Sequence, residues 1–548
     1  MVAAFWDAQP SLAHRALRLG LLALCGAVMA IACLARFSVD AVWEDAYIGV
    51  RYADNSLKYG RISWDPGGEP VYGMTAPLHL VLLVPARALA PDAPALAAAL
   101  SSLAGGLIWL ALLVRFLTTL SAVPSSHARS VGFAFALLCP ALSISRLADH
   151  FLSGMDTTLA LAYLTAYFLL IHRHERSGSL MGGVLAGVFG GLAFFARPDL
   201  LVFTVAIPVV MMCVRGGRGT RRGAVPVLCA TLAALVVGIG SAAWYFDSPL
   251  PLPAYVKATR FYGDAIYQSY AGVARLELRR YVLKYWYLFV LIAGSVCLRP
   301  LQWWRLSTSV DKGMLAGTLL FLGYHSLFVL PVMYYSQRFL YPTLPALIWL
   351  AARGFISLGG TEIGAAFAAR PDASRRTLAA SAIGFSLLLF RMGFAEWGTW
   401  SHRAQRGAFG QFDLASPAHA AIVNGVWPGL NEIAGLPDDM VIATTEVGHP
   451  SAGSPGKKII DLAGLNNTDL AHKRLSPAEV IRRARPDLIY LPHPDYKEIR
   501  RSIEEDLMIG ATYERVALRR PASLDVALLR GGPYYARLRD IVLGGGAR

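Results

Sequence analysis

Val42-Trp-Glu-Asp-Ala-Tyr-Ile-Gly-Val-Arg-Tyr-Ala-Asp-Asn55, followed by Trp64-Asp-Pro-Gly-Gly-Glu-Pro-Val-Tyr-Gly-Met-Thr-Ala-Pro-Leu78, is the stretch on which the reading of this chain turns. It emerges from an apolar run that starts near residue 18, and a second long apolar run starts near residue 95. Aromatic, acidic and Gly/Pro-rich sequence held between two such runs reads as a loop at a membrane surface, here residues 37–94. Two adjacent carboxylates, Glu44 and Asp45, stand just beyond the first run. A charge at a membrane boundary costs less than one in the hydrocarbon core, yet it is disfavoured without a use.

Composition points the same way. The chain has 548 residues, 55% hydrophobic and 16% charged, with a mean hydropathy of +0.46. Soluble domains carry about 25% charged residues. The formal net charge of +15 is gathered in short loops between apolar runs, as in Val214-Arg-Gly-Gly-Arg-Gly-Thr-Arg-Arg222. That is a positive-inside pattern, not a nucleic-acid stripe, so no nucleic-acid partner is expected. The six cysteines lie in or beside apolar runs without CxxC spacing, which argues against a zinc site or a disulfide framework. His14, Arg15 and Arg18 ahead of the first run imitate a signal peptide, but in a chain that re-enters the membrane they read as the start of an uncleaved span.

Runs long enough to cross about 30 Å of hydrocarbon need roughly 17–25 residues. Candidates begin near residues 18, 95, 131, 154, 179, 199, 224, 283, 313, 339 and 377, which predicts a polytopic α-helical membrane protein of about 11 transmembrane helices. With the N-terminus cytoplasmic, the inside loops are the Lys/Arg-rich ones: 115–129, 172–176, 215–222, 299–312 and 353–376. The outside segments are then 38–94, 146–154, 197–199, 244–281, 334–338 and everything from about residue 395. Leu78–Ala90 is apolar but short, and counting it as a span would invert every later loop. It reads as an interfacial helix, with Thr75 as cap and Pro77 in its first turn.

Residues 1–394 thus form the membrane domain and 395–548 a tail on the outer face. The tail carries short β-like runs at Val441–Thr445, Lys458–Asp461 and Asp487–Leu491. A helix over Pro477–Ala484, capped by Ser476, separates two of them, and Val516 with Leu524–Leu529 suggests a closing hairpin. The expectation is a C-terminal periplasmic α/β domain.

Glu44 and Asp45 suit deprotonation of an acceptor hydroxyl or stabilisation of positive charge at an anomeric carbon. On the residues alone they could equally be a solvated pair, or partners of Arg51. The quoted loop resembles the first periplasmic loop of the GT-C glycosyltransferases. It is most similar to the branch that holds the mycobacterial arabinofuranosyltransferase adding terminal β-arabinofuranose. An acidic-Asp-Ala-Tyr-Ile element, an Arg-Tyr-Ala element and a Gly-Glu-Pro-Val-x-Gly-x-Thr-x-Pro-Leu element stand in that order. The likeness continues in Ser153–Leu164, Ala196–Phe203, Tyr334–Pro345 and Ile459–Asn467, with Asp156 and Asp199 where the family often has Glu. The resemblance implies a polyprenyl-phosphate sugar donor in the lipid bilayer of a bacterial inner membrane. It implies a glycan, glycolipid or surface-protein acceptor, and a catalytic acid in the first loop: Asp45, with Glu44 as helper.

A donor phosphodiester needs cations, and the outer-side candidates are Arg197, Arg338, Lys257 and Arg260. Arginines at span ends also snorkel to lipid headgroups. Arg51, Tyr47, Asp156, Asp199 and His449 are candidate substrate contacts. Asp156 could instead cap its helix, and His449 could belong to an ordinary α/β turn. A divalent cation is conceivable among Asp45, Asp156 and His150, although no ligand spacing supports one. Two other functions fit the composition: a flippase or transporter of lipid-linked sugars, and a non-catalytic envelope-assembly protein. A transporter predicts charges deep inside spans, broken helices and internal repeats, whereas most acidic residues here stand at outer ends.

Overall fold

The computed structural model describes residues 26–119, 140, 143–214, 218–329, 337–360, 390–391, 393–394, 396–398, 401, 405, 412–414, 417–494, 496–516 and 524–544. The larger part is helical. The loop helix α1 (Ala46–Tyr59) is followed by a 3₁₀ turn at Pro77–His79 and α2 (Leu80–Leu89), then α3 (Pro94–Thr118). Next come α4 (Ile144–Leu152), α5 (Thr157–Ser177), α6 (Leu180–Ala196), α7 (Leu201–Cys213) and α8 (Arg218–Phe246). They are followed by α9 (Leu252–Ala258), α10 (Asp264–Lys284), α11 (Trp286–Leu298), α12 (Pro300–Leu306), α13 (Ser309–Leu327) and α14 (Leu344–Phe355).

The expected starts near 95, 154, 179, 199, 224, 283, 313 and 339 fall within a turn or two of a helix start, while those near 18, 131 and 377 lie outside the described residues. Two helices, Pro94–Leu117 and Gly223–Phe246, are long and apolar enough to cross a membrane. Counting two bent pairs as broken spans (Arg146–Leu152 with Thr157–Ser177 at 103°, Gly272–Lys284 with Trp286–Leu298 at 79°) gives up to four among the described residues. The α6–α8 contact is built as membrane helices build theirs. A Cβ on Gly187 would meet the Val227 carbonyl oxygen at 2.4 Å, and one on Gly191 the Thr231 carbonyl oxygen at 2.5 Å, so glycine alone allows this backbone approach. The opposite face of α8 leaves Val236, Val237 and Trp244 exposed.

Leu78–Leu89 is helical, and Pro77 occupies the first turn of the 3₁₀ piece that leads into α2. The expected Thr75 cap is not made: Ala76 holds the cap position, no side chain caps it, and Thr75 faces a cavity instead.

The tail is a five-stranded mixed sheet of order β2-β1-β3-β5-β4. Its strands are β1 (Val441–Thr444), β2 (Lys458–Asp461), β3 (Leu488–Tyr490), β4 (Tyr513–Val516) and β5 (Val526–Leu529). β1 runs parallel to β2 and β3, and β4 and β5 form the antiparallel closing pair. The helix at Pro477–Ala484 is present, with the Ser476 side chain accepting from the Glu479 amide. Both sheet faces are covered. Ile442, Leu488, Val526 and Leu528 join a core that continues into Trp109, Phe168 and Trp349 of the helical part. Ala443, Ile460, Ile489, Ala527 and Leu529 pack with Leu252 and Val256 of α9. This two-sided burial is why β3 and β5 read as continuous apolar runs.

Candidate active site

The first loop and the tail meet around α1. Trp64 Nε1 donates to the Ile459 carbonyl at 2.6 Å, and Tyr52 donates to Asn466 Oδ1 at 2.9 Å. Asn466 is itself fixed by Asp461, whose oxygens accept from the Ala463, Gly464 and Asn466 amides and from Asn466 Nδ2. Burial pushes the Asp461 carboxyl up to about 6, against those donors. The Ile459–Asn467 motif is therefore a turn that clasps the loop helix.

Between loop, helices and tail lies a cavity of about 330 Å³. Glu44, Asp45, Asp156, Arg197, Asp199, Lys257 and Arg338 all line it, from segments spread over nearly three hundred residues. Asp45 and Asp156 hold equivalent places: each is the N-cap residue of its helix, α1 and α5, and neither side chain makes a capping bond. Neither carboxylate is spent on the amides of its own helix. Asp45 Oδ2 accepts from Arg338 Nη2 at 3.0 Å. The Nε and Nη1 of Arg338 are buried with no hydrogen-bond partner among the described residues. Lys257 is exposed into the cavity, and desolvation, helped by the Arg338 charge and opposed by Asp45, lowers its ammonium below the usual lysine value.

Glu44 is held from the other side. The Gly448 amide, at the start of α15 (Gly448–Gly453), donates to Glu44 Oε1. A Cβ on Gly448 would lie 2.1 Å from the Glu44 carbonyl oxygen, so only glycine lets the tail come this close. Burial first, then the negative charges of Asp45 and Glu446, push the Glu44 carboxyl well above the usual carboxylate range.

Arg197 lines the cavity with its guanidinium fork engaged. Nε and Nη2 reach Asp199 Oδ1 and Oδ2 at 3.1 and 2.5 Å, and Asp156 Oδ2 stands 4.0 Å away. His325 Nε2 lies 3.0 Å from Asp199 Oδ2. Among the described residues no group of three His, Cys, Asp or Glu side chains stands where it could hold a metal ion.

No family model matches the sequence, and no curated protein matches it. Among solved structures the chain is similar to the crystal structure of ArnT from Cupriavidus metallidurans in the apo state, at 14% sequence identity and a TM-score of 0.49, covering 93% of this chain and 98% of that one.

Four expected site residues stand elsewhere. Arg51 is buried and donates to the carbonyls of Trp64 and Lys457, both at 2.7 Å, so it splices loop to tail and does not pair with Glu44 or Asp45. Tyr47 is buried against the half-buried His449 ring, 5.0 Å between centroids, and His449 also packs on His419 and Trp427. Arg260 is exposed, with a left-handed φ of 51°, and does not line the cavity. In the other direction, sequence reasoning passed over His79, Tyr324, His325, Thr445 and Glu446, all of which line it. His325 had a signal: an ionisable side chain within an apolar helix is a functional candidate by default.

Proposed function

We propose that the chain is a GT-C-type glycosyltransferase of a bacterial inner membrane, with about eleven membrane-spanning helices, a cytoplasmic N-terminus and a periplasmic tail. It moves a sugar, arabinofuranose or another pentose, from a polyprenyl phosphate to an extracytoplasmic glycan, glycolipid or surface-protein acceptor. One observation carries the reading. Asp45, at a helix N-terminus in a cavity, is held by a single nitrogen of Arg338, whose other two nitrogens are buried and unpartnered among the described residues. A guanidinium left two donors short is suited to a phosphate, which accepts from several donors at once.

In this reading Asp45 accepts the proton of the acceptor hydroxyl as the oxygen bonds the anomeric carbon. The bond from that carbon to the phosphate oxygen breaks, its electron pair stays on the phosphate, and Arg338 with Lys257 holds the charge. Burial and the neighbouring carboxylates disfavour a charge on Glu44, which limits the negative charge beside the base. The tail supplies Thr445, Glu446, Val447, Ala463, Leu465 and Tyr496 to the cavity wall, and with them one side of the acceptor groove.

The test is reconstitution in liposomes with a radiolabelled polyprenyl-phosphate pentose and an envelope glycan extract. Label appearing on the glycan is the expected result. Redistribution of labelled lipid between leaflets without transfer would replace this reading with a flippase.

A further inference from the structure

His325 sits at the outer end of α13 with 2% of its surface exposed, and it lines the same cavity as Asp45 and Arg338. Its Nε2 faces Asp199 Oδ2 at 3.0 Å. An ionised carboxylate can only accept, so Nε2 carries a hydrogen and the second ring nitrogen is the variable one. That Nδ1 is buried and has no hydrogen-bond partner among the described residues. The charged and titratable groups about the ring are Asp199 and Arg197 from the turn before α7, and Tyr324 on its own helix. The Phe339 ring is a shared neighbour, 5.9 Å from the His325 ring, 4.8 Å from the Arg338 guanidinium and 5.5 Å from that of Arg197. Imidazole and phosphate-binding arginine thus meet the same aromatic side chain.

We propose, resting on the glycosyltransferase reading, that His325 is a second catalytic residue: oriented by Asp199, it delivers a proton through Nδ1 to the departing polyprenyl phosphate. The bound phosphodiester is a monoanion, and losing the sugar leaves a monoester whose second pKa is about 6. Its second negative charge would develop in a cavity already lined by Asp45, Asp156, Asp199 and Glu446, against Arg197, Lys257 and Arg338. With Arg197 committed to Asp199, a proton from the imidazolium is the direct way to avoid that charge. The step balances. The acceptor proton goes to Asp45, the carbon–oxygen electron pair goes to the phosphate, and the His325 proton neutralises it. Asp45 then loses its proton to solvent, and the imidazole regains one when the product leaves.

The experiment compares wild type, Asp45→Asn and His325→Gln on the natural donor and on its phosphorothioate, whose more acidic leaving group needs a proton less. His325→Gln is expected to lower kcat about 10²-fold with donor KM within about threefold. It should remove the alkaline limb of the bell-shaped kcat–pH profile and recover about tenfold or more of its loss on the phosphorothioate. Wild-type kcat and pH profile in His325→Gln overturn the proposal, as does an equal loss on both donors, which a merely structural role would give. If wild type transfers and Asp45→Asn does not while His325→Gln does, only this inference falls. Absence of transfer by wild type removes it together with the glycosyltransferase reading.

Discussion

Two buried arginine–aspartate pairs stand at opposite ends of the same helical frame, and they are finished differently. Asp311, in the first turn of α13, is fully buried and accepts from Trp349 Nε1 at 2.6 Å, Arg353 Nε at 3.1 Å and the Thr308 amide at 2.8 Å. Arg353, in the last turn of α14, gives a further bond to the Leu306 carbonyl, and Glu175 nearby takes the Ser309 and Val310 amides. The Trp349 indole and the Nε and Nη2 of Arg353 thus have acceptors that belong to the protein. The Arg338–Asp45 pair lies ahead of α14, and there the guanidinium keeps Nε and Nη1 unmatched among the described residues. Desolvating charges costs several kcal/mol per ion, and a closed network recovers it within the fold. An open one is completed by something that arrives.

The contrast can be broken at either end. The largest expected effect is at the open pair: Arg338→Gln removes the charge and should lower kcat/KM for the lipid donor by about 10²–10³-fold, with a nearly unchanged melting temperature. A melting shift of many degrees with activity retained would make the pair structural. At the closed pair, Asp311→Asn should cost about 3 kcal/mol of stability, read by thermal unfolding in detergent, while the kcat of the folded fraction holds. Lost activity without lost stability would blur the distinction. The smallest effect concerns the tail's seat on the loop. Burial, with the His419 charge adding to it, holds the His449 imidazole down to about 3. A folded value below the unfolded one, about 6.5, means the unfolded chain binds more protons between those values. Stability is therefore present above pH 6.5 and lost as pH falls. From pH 6.5 to 5 the loss should approach about 2 kcal/mol, and His449→Phe should flatten that slope in melts across the range. An unchanged slope would show that the His449 cluster does not hold the tail.

Much of this was legible in the chain because it follows periods and boundaries. The tail strands and the Ser476-capped helix announced themselves by apolar runs and Pro477, and the acids Asp45, Asp156 and Asp199 by their position beside apolar runs. Glu44, Asp45, Asp156, Arg197, Asp199, Lys257 and Arg338 were all singled out as residues and are all cavity residues. What sequence could not supply was which side chains were already spoken for. Arg51 and Arg338 look alike in the chain, yet one is spent on backbone carbonyls and the other is open. Arg197 reads as a phosphate ligand until Asp199, two residues on, is seen to occupy its fork. Thr75 has the pattern of a cap, but Ala76 takes the cap position and the hydroxyl residue faces the cavity. His449 was noticed for its turn, whereas its neighbour Gly448 makes the contact that matters, through a backbone amide.

The most direct test is sugar transfer by purified wild-type protein and Asp45→Asn, measured with radiolabelled polyprenyl-phosphate donor after matching their melting temperatures. The account predicts robust transfer by wild type and a loss of about 10³-fold in the variant. Equal transfer by the two proteins would contradict it.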